Sequence, residues 1–376
     1  MSTDFSTLIG LVEHYSPSGE ERPAVEWLIE RMKALGFGKA FVDEAGNAVG
    51  VMGDGPKQVV LLGHIDTVPG EVKATLTPDP SPAGGGEILC GRGSVDAKGP
   101  LACFVDAAAQ VGAVDGWQFV VIGAVEEERD SDGARFAAGQ YHPDFAIIGE
   151  PNNWDRIALG YKGSAWATIT VRRGQAHTAS GEQTAAEAAV ELWLAVKAYA
   201  EAFNADKSRA FDRLLPTLRG MDSGQDGFEQ WARLNVGCRL PVEVTPDGWY
   251  EALGEIARDS HLTPLRPVSG TLREGDCHVE IARMGYPVPA WECEKNSLLV
   301  RAFLNGIRQA GGAPRFVYKT GTADLNVVAP VWRCPAVVYG PGDSSLDHTP
   351  GEHISLEGYG KAVDTLVGTL KALASA

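Results

Sequence analysis

The chain has 376 residues, and its 33 lysines and arginines against 49 aspartates and glutamates leave a net charge of −16. That balance excludes the basic footprint of general nucleic-acid or anionic-membrane binding, the first ten residues lack the basic start of a secretory signal, and no apolar run approaches the roughly 18 residues of a membrane span. Six scattered cysteines without a Cys-x-x-Cys pair read as reduced, packed thiols, so a cytoplasmic protein with no nucleic-acid or membrane partner is expected.

Taken from the N-terminus, residues 23–35 place Val25, Leu28, Ile29, Met32 and Leu35 on one helical face, with Pro23 early and Gly36 as the stop. Residues 58–62, 119–124 and 145–148 are short apolar runs that predict buried strands. The Pro- and Gly-rich stretch 78–86 is expected to be a loop. From about 160 to 285 the texture changes. Residues 165–173 alternate as a half-exposed strand, and a helix opens at Thr184 with Glu187 as its capping box and runs to 203. A strand at 234–240, a helix at 249–258 and a strand at 278–283 follow, with room for a fourth strand. That order suits a small α+β sandwich inserted in a larger domain. Beyond it come a helix at 297–309 and a buried strand at 336–339. Alternating strands and helices predict an α/β fold with a largely parallel sheet, its two parts, 1–159 and 286–376, enclosing the insert 160–285.

The chemistry-bearing residues fall at strand ends. His64 and Asp66 follow the first buried run, Glu126-Glu127-Glu128 the second, Glu150 the third and Asp347-His348 the last. Ligands of open α/β sheets bind outside the carboxyl ends of the strands, so unrelated strand ends deliver imidazoles and carboxylates to one rim. Asp96, in a glycine-rich stretch, is a further candidate. Two histidines with three or more carboxylates and no thiolate describe a site for divalent zinc, cobalt or manganese. His64-x-Asp66 fits the rule that a carboxylate orients a ligating imidazole, and adjacent Glu127 and Glu128 could divide metal binding from proton transfer. Taken singly, each is an ordinary cap or solvated loop residue, and a run such as 126–128 is usually a solvated face; their joint placement argues otherwise. His14, His142, His261, His278 and His353 lack such a context. No Gly-x-Ser-x-Gly elbow, phosphate loop or His-Glu-x-x-His helix is present.

The stretches Gly63-His64-Ile65-Asp66-Thr67-Val68-Pro69, Gly91-Arg92-Gly93 through Asp96-Ala97-Lys98-Gly99, the paired glutamates with Gly133-Ala134-Arg135, Gly149-Glu150-Pro151 and the late His348 resemble the M20 metallopeptidase family, in order and over nearly the whole chain. The resemblance implies a zinc-peptidase-like catalytic domain with an inserted ferredoxin-like lid and dimerisation domain, and two divalent ions, zinc or cobalt. His64 and Glu150 would hold one ion, Glu128 and His348 the other, with Asp96 bridging, Asp66 supporting His64 and Glu127 acting as general base. Family members often have Asp-Glu-Glu where this chain begins with Glu126. Gln175-Ala176-His177-Thr178-Ala179 matches the loop whose histidine serves the partner subunit's active site. Asn235-Val236-Gly237-Cys238-Arg239 and Thr320-Gly321-Thr322-Ala323-Asp324 resemble the segments whose Arg239 and Thr322 would grip a substrate carboxylate.

Within the family, residues 96–102, 319–324 and 339–350 are similar to the branch that releases lysine, or ornithine, from an amino-group carrier protein in lysine biosynthesis. There the amino acid is amide-linked to the γ-carboxyl of the carrier's C-terminal glutamate. Such carriers are acidic, so a chain at −16 needs a local basic patch, for which Lys162, Arg172 and Arg173 are the candidates. The competing expectations are a small-molecule deacylase, of acetylornithine or succinyl-diaminopimelate, and a metal-free binding module.

Overall fold

The computed structural model describes residues 4–79, 86–175, 177, 179, 181–260, 263–264 and 277–376. Most of the loop expected at 78–86 lies outside the described residues, as do His261, Ala176 and Thr178. The chain divides into two compact units: 1–160 with 292–318 and 323–376, and 161–291 with 319–322.

The first unit opens with α1 (Ser6–Glu13) and α2 (Arg22–Ala34), then β1 (Lys39–Val42), β2 (Ala48–Met52) and β3 (Lys57–His64). Next come β4 (Thr75–Pro78), β5 (Glu87–Cys90), α3 (Lys98–Val111), β6 (Trp117–Ala124), α4 (Asp132–Gln140), β7 (Phe145–Gly149) and β8 (Arg156–Tyr161). Residues Val59–Leu62 of β3 are wholly buried, as suits a strand covered on both faces. α3 lies against β3 and is buried from Lys98 to Ala108. Gly149 ends β7 where a Cβ would come within 2.9 Å of the Phe104 ring, so the sheet reaches α3 only because that position has no side chain.

The second unit runs β9 (Gly163–Gly174), α5 (Ala185–Phe203), β10 (Leu215–Asp226), β11 (Glu229–Leu240), α6 (Pro246–Asp259), β12 (Thr263–Pro264) and β13 (Cys277–Val288). Its sheet order is β10-β11-β9-β13-β12. Leaving the two-residue β12 aside, this is a βαββαβ chain with antiparallel strands in the order 2-3-1-4, the ferredoxin-like arrangement. Thr184 caps α5 reciprocally with Glu187. Ala165, Ala167, Ile169 and Val171 alternate inward and pack with Leu192, Val196, Trp249 and Leu253 of the two helices, and the intervening side chains face away from them. β10 is the fourth strand for which the sequence left room.

The chain then adds β14 (Trp291–Glu292), α7 (Leu298–Gln309), β15 (Arg315–Lys319), α8 (Leu325–Trp332), β16 (Ala336–Tyr339), β17 (His353–Ser355) and α9 (Leu356–Ala374). The main sheet has the order β1-β2-β6-β3-β7-β16-β8-β14, with β15 against β8. Its centre, β6-β3-β7-β16, is parallel, whereas β1, β2 and β8 pair antiparallel. The four strands whose ends carry histidines and acids in the sequence are thus the four central neighbours. Their ends are level, with His64 opposite Ala124 and Gly63 and Tyr339 both opposite Gly149.

Candidate metal centre

The level ends of β3, β6, β7 and β16 place ligand-type side chains on one rim. His64 is the last residue of β3 and is 1 % exposed. Asp66 accepts from the Ser18 hydroxyl at 2.7 Å and from the backbone N–H groups of Glu127 and Glu128 at 3.1 Å each. His64 Nδ1 lies 3.0 Å from the Asp66 carbonyl oxygen and 3.4 Å from its carboxylate, so Asp66 fixes both the imidazole and the glutamate turn beside it. His64 Nε2 lies 3.1 Å from Asp96 Oδ1. On the other side of Asp96, His348 Nε2 is 3.0 Å from Oδ2 and 3.1 Å from Glu128 Oε1.

Three groups of donor atoms, each within 4.8 Å of one another, emerge among the described residues: His64, Asp96 and Glu150; Asp96, Glu128 and His348; and His64, Glu127 and Glu128. The first two share Asp96, the geometry of a bridging carboxylate between two cations. Glu126 stands in none of them. Its backbone is left-handed at φ 62°, its carbonyl accepts from the N–H groups of residues 129–131, and its carboxylate takes the Arg129 guanidinium at 2.8 Å. His348 is also left-handed, at φ 59°. Such a conformation costs on the order of 1–3 kcal/mol in a residue with a side chain, and two of them on ligand-bearing turns mark a site held against local preference.

The electrostatics ask for cations. Burial pushes Glu127 and Glu150 well above the ordinary carboxyl range, opposed by the nearby His64 and reinforced by neighbouring acids. Glu128 is raised by burial, with the His348 hydrogen bond pulling the other way. Burial pulls the His64 imidazole down, but hydrogen bonds to Asp66 and Asp96 outweigh it and hold it well above its usual value. His348 is raised to about 10 by its hydrogen bonds to Asp96 and Glu128. Asp96 is lowered: burial opposes ionisation and the two imidazoles overcome it. Four clustered carboxylates and two imidazoles, all oxygen and nitrogen donors, fit a pair of divalent ions.

The signs give a stability prediction for the metal-free protein. Above the ordinary glutamate range the unfolded chain has lost these protons while Glu127 and Glu150, both raised well above that range, hold more of theirs, so the native state binds more protons. Stability of the chelator-treated protein therefore falls as pH rises from 5 to 7, by up to about 1.4 kcal/mol per pH unit for each such group. Denaturant melts at stepped pH check this, and saturating divalent metal should flatten the curve. A metal-free stability that rose over that window would contradict the assignment of buried, protonated acids.

The second unit carries the other predicted residues. Arg239 Nη1 donates to Thr322 Oγ1 at 3.0 Å. His177 is exposed, and its Nδ1 accepts from the Ala179 N–H at 3.1 Å, which leaves Nε2 as the donor of a neutral ring. The expected basic patch needs correction. Lys162 is wholly buried and donates to the carbonyls of Phe211 and Arg213, and Arg173 is buried against Gln183 and Glu182; only Arg172 is half-exposed. Both corrected residues sit at positions where a long aliphatic stem fills the core and the charged head finds local acceptors.

A residue without an assigned role in the sequence joins the first unit's site. Asp324, buried at the start of α8, is raised to about 7 by burial, with His64 opposing, and its charge bears on Glu127 and Glu150. Its only signal in the sequence is its place at the end of Thr320-Gly321-Thr322-Ala323-Asp324.

A family model described as peptidase family M20/M25/M40 matches residues 60–372. The chain belongs to this family. It is a metal-dependent hydrolase of amide bonds by that membership. Among M20 relatives, a LysW-lysine hydrolase of Deinococcus radiodurans is 41 % identical over 95 % of this chain and 93 % of its own. A putative LysW-lysine/LysW-ornithine hydrolase of Thermococcus kodakarensis is 36 % identical over 97 % of this chain and 91 % of its own. Among solved structures, a tripeptidase from Staphylococcus aureus superposes with a TM-score of 0.76 at 17 % identity, covering 99 % of this chain and 98 % of that one. A dinuclear metal-binding M20 peptidase from Bacillus subtilis gives a TM-score of 0.67 at 12 % identity, covering 98 % of each chain. The two structures share the M20 fold with this chain.

Proposed function

We propose that this M20 protein is a two-metal hydrolase that releases lysine, or ornithine, from the γ-carboxyl of the C-terminal glutamate of an amino-group carrier protein. The observation that carries the chemistry is the pair of donor groups sharing Asp96, with Glu127 beside both His64 and Glu128. The relatives' names support the substrate. His64 and Glu150 would hold one ion and Glu128 and His348 the other, zinc or cobalt, with Asp96 common to both. When bound, the ions supply Lewis acidity to the scissile carbonyl and the attacking water. Glu127 takes a proton from that water and passes it to the leaving amine; a buried, raised carboxyl is matched to moving a proton in both directions near neutral pH.

Arg239, oriented by Thr322, grips a substrate carboxylate with a planar, permanently charged fork. Arg239→Ala should raise KM by about 10- to 100-fold, the worth of a charge-assisted hydrogen bond, with a smaller loss in kcat. Steady-state kinetics check it, and an unchanged KM would remove Arg239 from the substrate site. His177 of a second copy donates Nε2–H to the developing oxyanion, which requires a homodimer through the second unit. Val190 and Leu194, exposed one turn apart on α5, offer apolar surface for that contact. For the acidic carrier, Arg172 and Arg233 lie on the helix-free face of the second unit's sheet, and Arg219 stacks over Trp166 of that face at 5.3 Å. Among the described residues no helix is long and apolar enough to cross a membrane.

The deciding experiment compares amino-acid release from carrier-linked lysine, N-acetylornithine and succinyl-diaminopimelate by the metal-reconstituted protein. Faster release from the carrier conjugate is the expected result. Preference for a small acyl substrate would keep the two-metal chemistry and overturn the carrier.

A further inference from the structure

Asp96 belongs to no strand. It closes the glycine-rich loop before α3, and a shared ligand on a loop must be held by something other than a sheet ladder. The loop is held by a buried carboxylate that ligates nothing in the site. Glu352, 1 % exposed, accepts from the backbone N–H groups of Val95 at 3.0 Å and Asp96 at 3.1 Å through Oε1, and from Arg92 Nη1 at 2.7 Å through Oε2. Its own carbonyl accepts from Gly91 N–H at 3.1 Å. Arg92, itself buried, continues to the Gly70 carbonyl at 2.9 Å. Both Glu352 carboxylate oxygens thus meet donors, and Arg92 with the nearby Lys98 ammonium balances its charge, as a buried carboxylate requires.

Glu352 lies four residues beyond His348. One short segment therefore grips Asp96 twice, by the side chain through His348 at 3.0 Å and by the backbone through Glu352 at 3.1 Å. We propose that Glu352 is the positioning residue that sets Asp96 between the two metal ions, the Arg92–Glu352 pair acting as the frame of the bridging ligand. The proposal rests on the two-metal reading above. It also explains the need for a carboxylate. Glutamine would turn an NH2 group toward either the paired backbone N–H groups or Arg92, donor against donor.

The test is a cobalt(II) titration of the chelator-stripped protein, followed by calorimetry and by the visible d–d absorption, for the parent, Glu352→Gln and Glu352→Asp, with circular dichroism to establish folding. Folded Glu352→Gln should bind cobalt 10- to 100-fold more weakly than the parent and shift the d–d band, with kcat falling and KM little changed. Glu352→Asp keeps the acceptors and the charge on a shorter arm and should fall between the two. Parent-like affinity and band in either folded variant would overturn the proposal. So would failure of both to fold, which would make Glu352 a residue of the fold alone. A parent that takes up no cobalt would instead sink the two-metal reading on which the proposal rests.

Discussion

Glu127→Gln should lower kcat by about 10²- to 10⁴-fold, the contribution of a positioned general base, while leaving metal uptake unchanged. The amide is the same size and cannot accept a proton. Glu127 shares a donor group only with His64 and Glu128, and the two groups joined by Asp96 are complete without it. Parallel kcat and metal analysis by mass spectrometry separate the two roles. A variant that keeps most of its rate would remove Glu127 from proton transfer, and one that loses metal would move it among the ligands.

Asp96→Asn acts on the opposite element. One of its two oxygens becomes an NH2 group that repels a cation, so one donor group loses its Asp96 ligand and the other keeps only a neutral amide oxygen. Metal content should fall from two ions to one or none, and kcat by on the order of 10³-fold or more, since the ions together supply several kcal/mol of charge stabilisation. Because Asp96 is held below the ordinary carboxylate range by His348 and His64, it is ionised throughout the working pH range; the asparagine variant cannot be rescued by raising the pH. Full occupancy by two ions in Asp96→Asn would rule out the bridge.

Much of the fold was legible where the local signal was strong and one-sided. The strand at 336–339 was read to the residue, and the capping box at Thr184 located the start of α5. The strands carrying His64, Glu150 and the glutamates extend only one to three residues beyond their predicted ends. Other elements leave no such trace. α3 is buried over nearly its whole length, so it has no polar face to create a periodic stripe. β10 is the reverse case, exposed and rich in glycine, serine and aspartate, and it is extended because β11 pairs with it rather than through its own propensity. α9, nineteen residues with an N-cap at Ser355, was readable and was missed.

The site divides along the same line. Strand-end chemistry pointed to His64, Glu127, Glu128, Glu150 and His348, because a buried apolar run followed at once by a ligand-type residue is a local pattern. Glu352 and Asp324 escaped because their importance is wholly tertiary: one is defined by the backbone N–H groups of residues 95 and 96, the other by acids far away in sequence. Lys162 and Arg173 failed the other way, since a cation's burial cannot be read from its neighbours in the chain.

The interruption of the first unit by the second bears on how the protein is made. The donors at positions 64, 96, 127, 128 and 150 precede the insert, but His348 and β16 follow it, so a chain emerging from the ribosome lacks the Asp96–Glu128–His348 group until nearly all of it has been synthesised. The insert's strands pair within the stretch from Gly163 to Val288, whereas the parallel pairing of β16 with β7 closes the longest loop in the main sheet and carries the larger closure entropy. On the proposed ligand set, uptake of a metal pair is thereby tied to the last long-range closure of the chain.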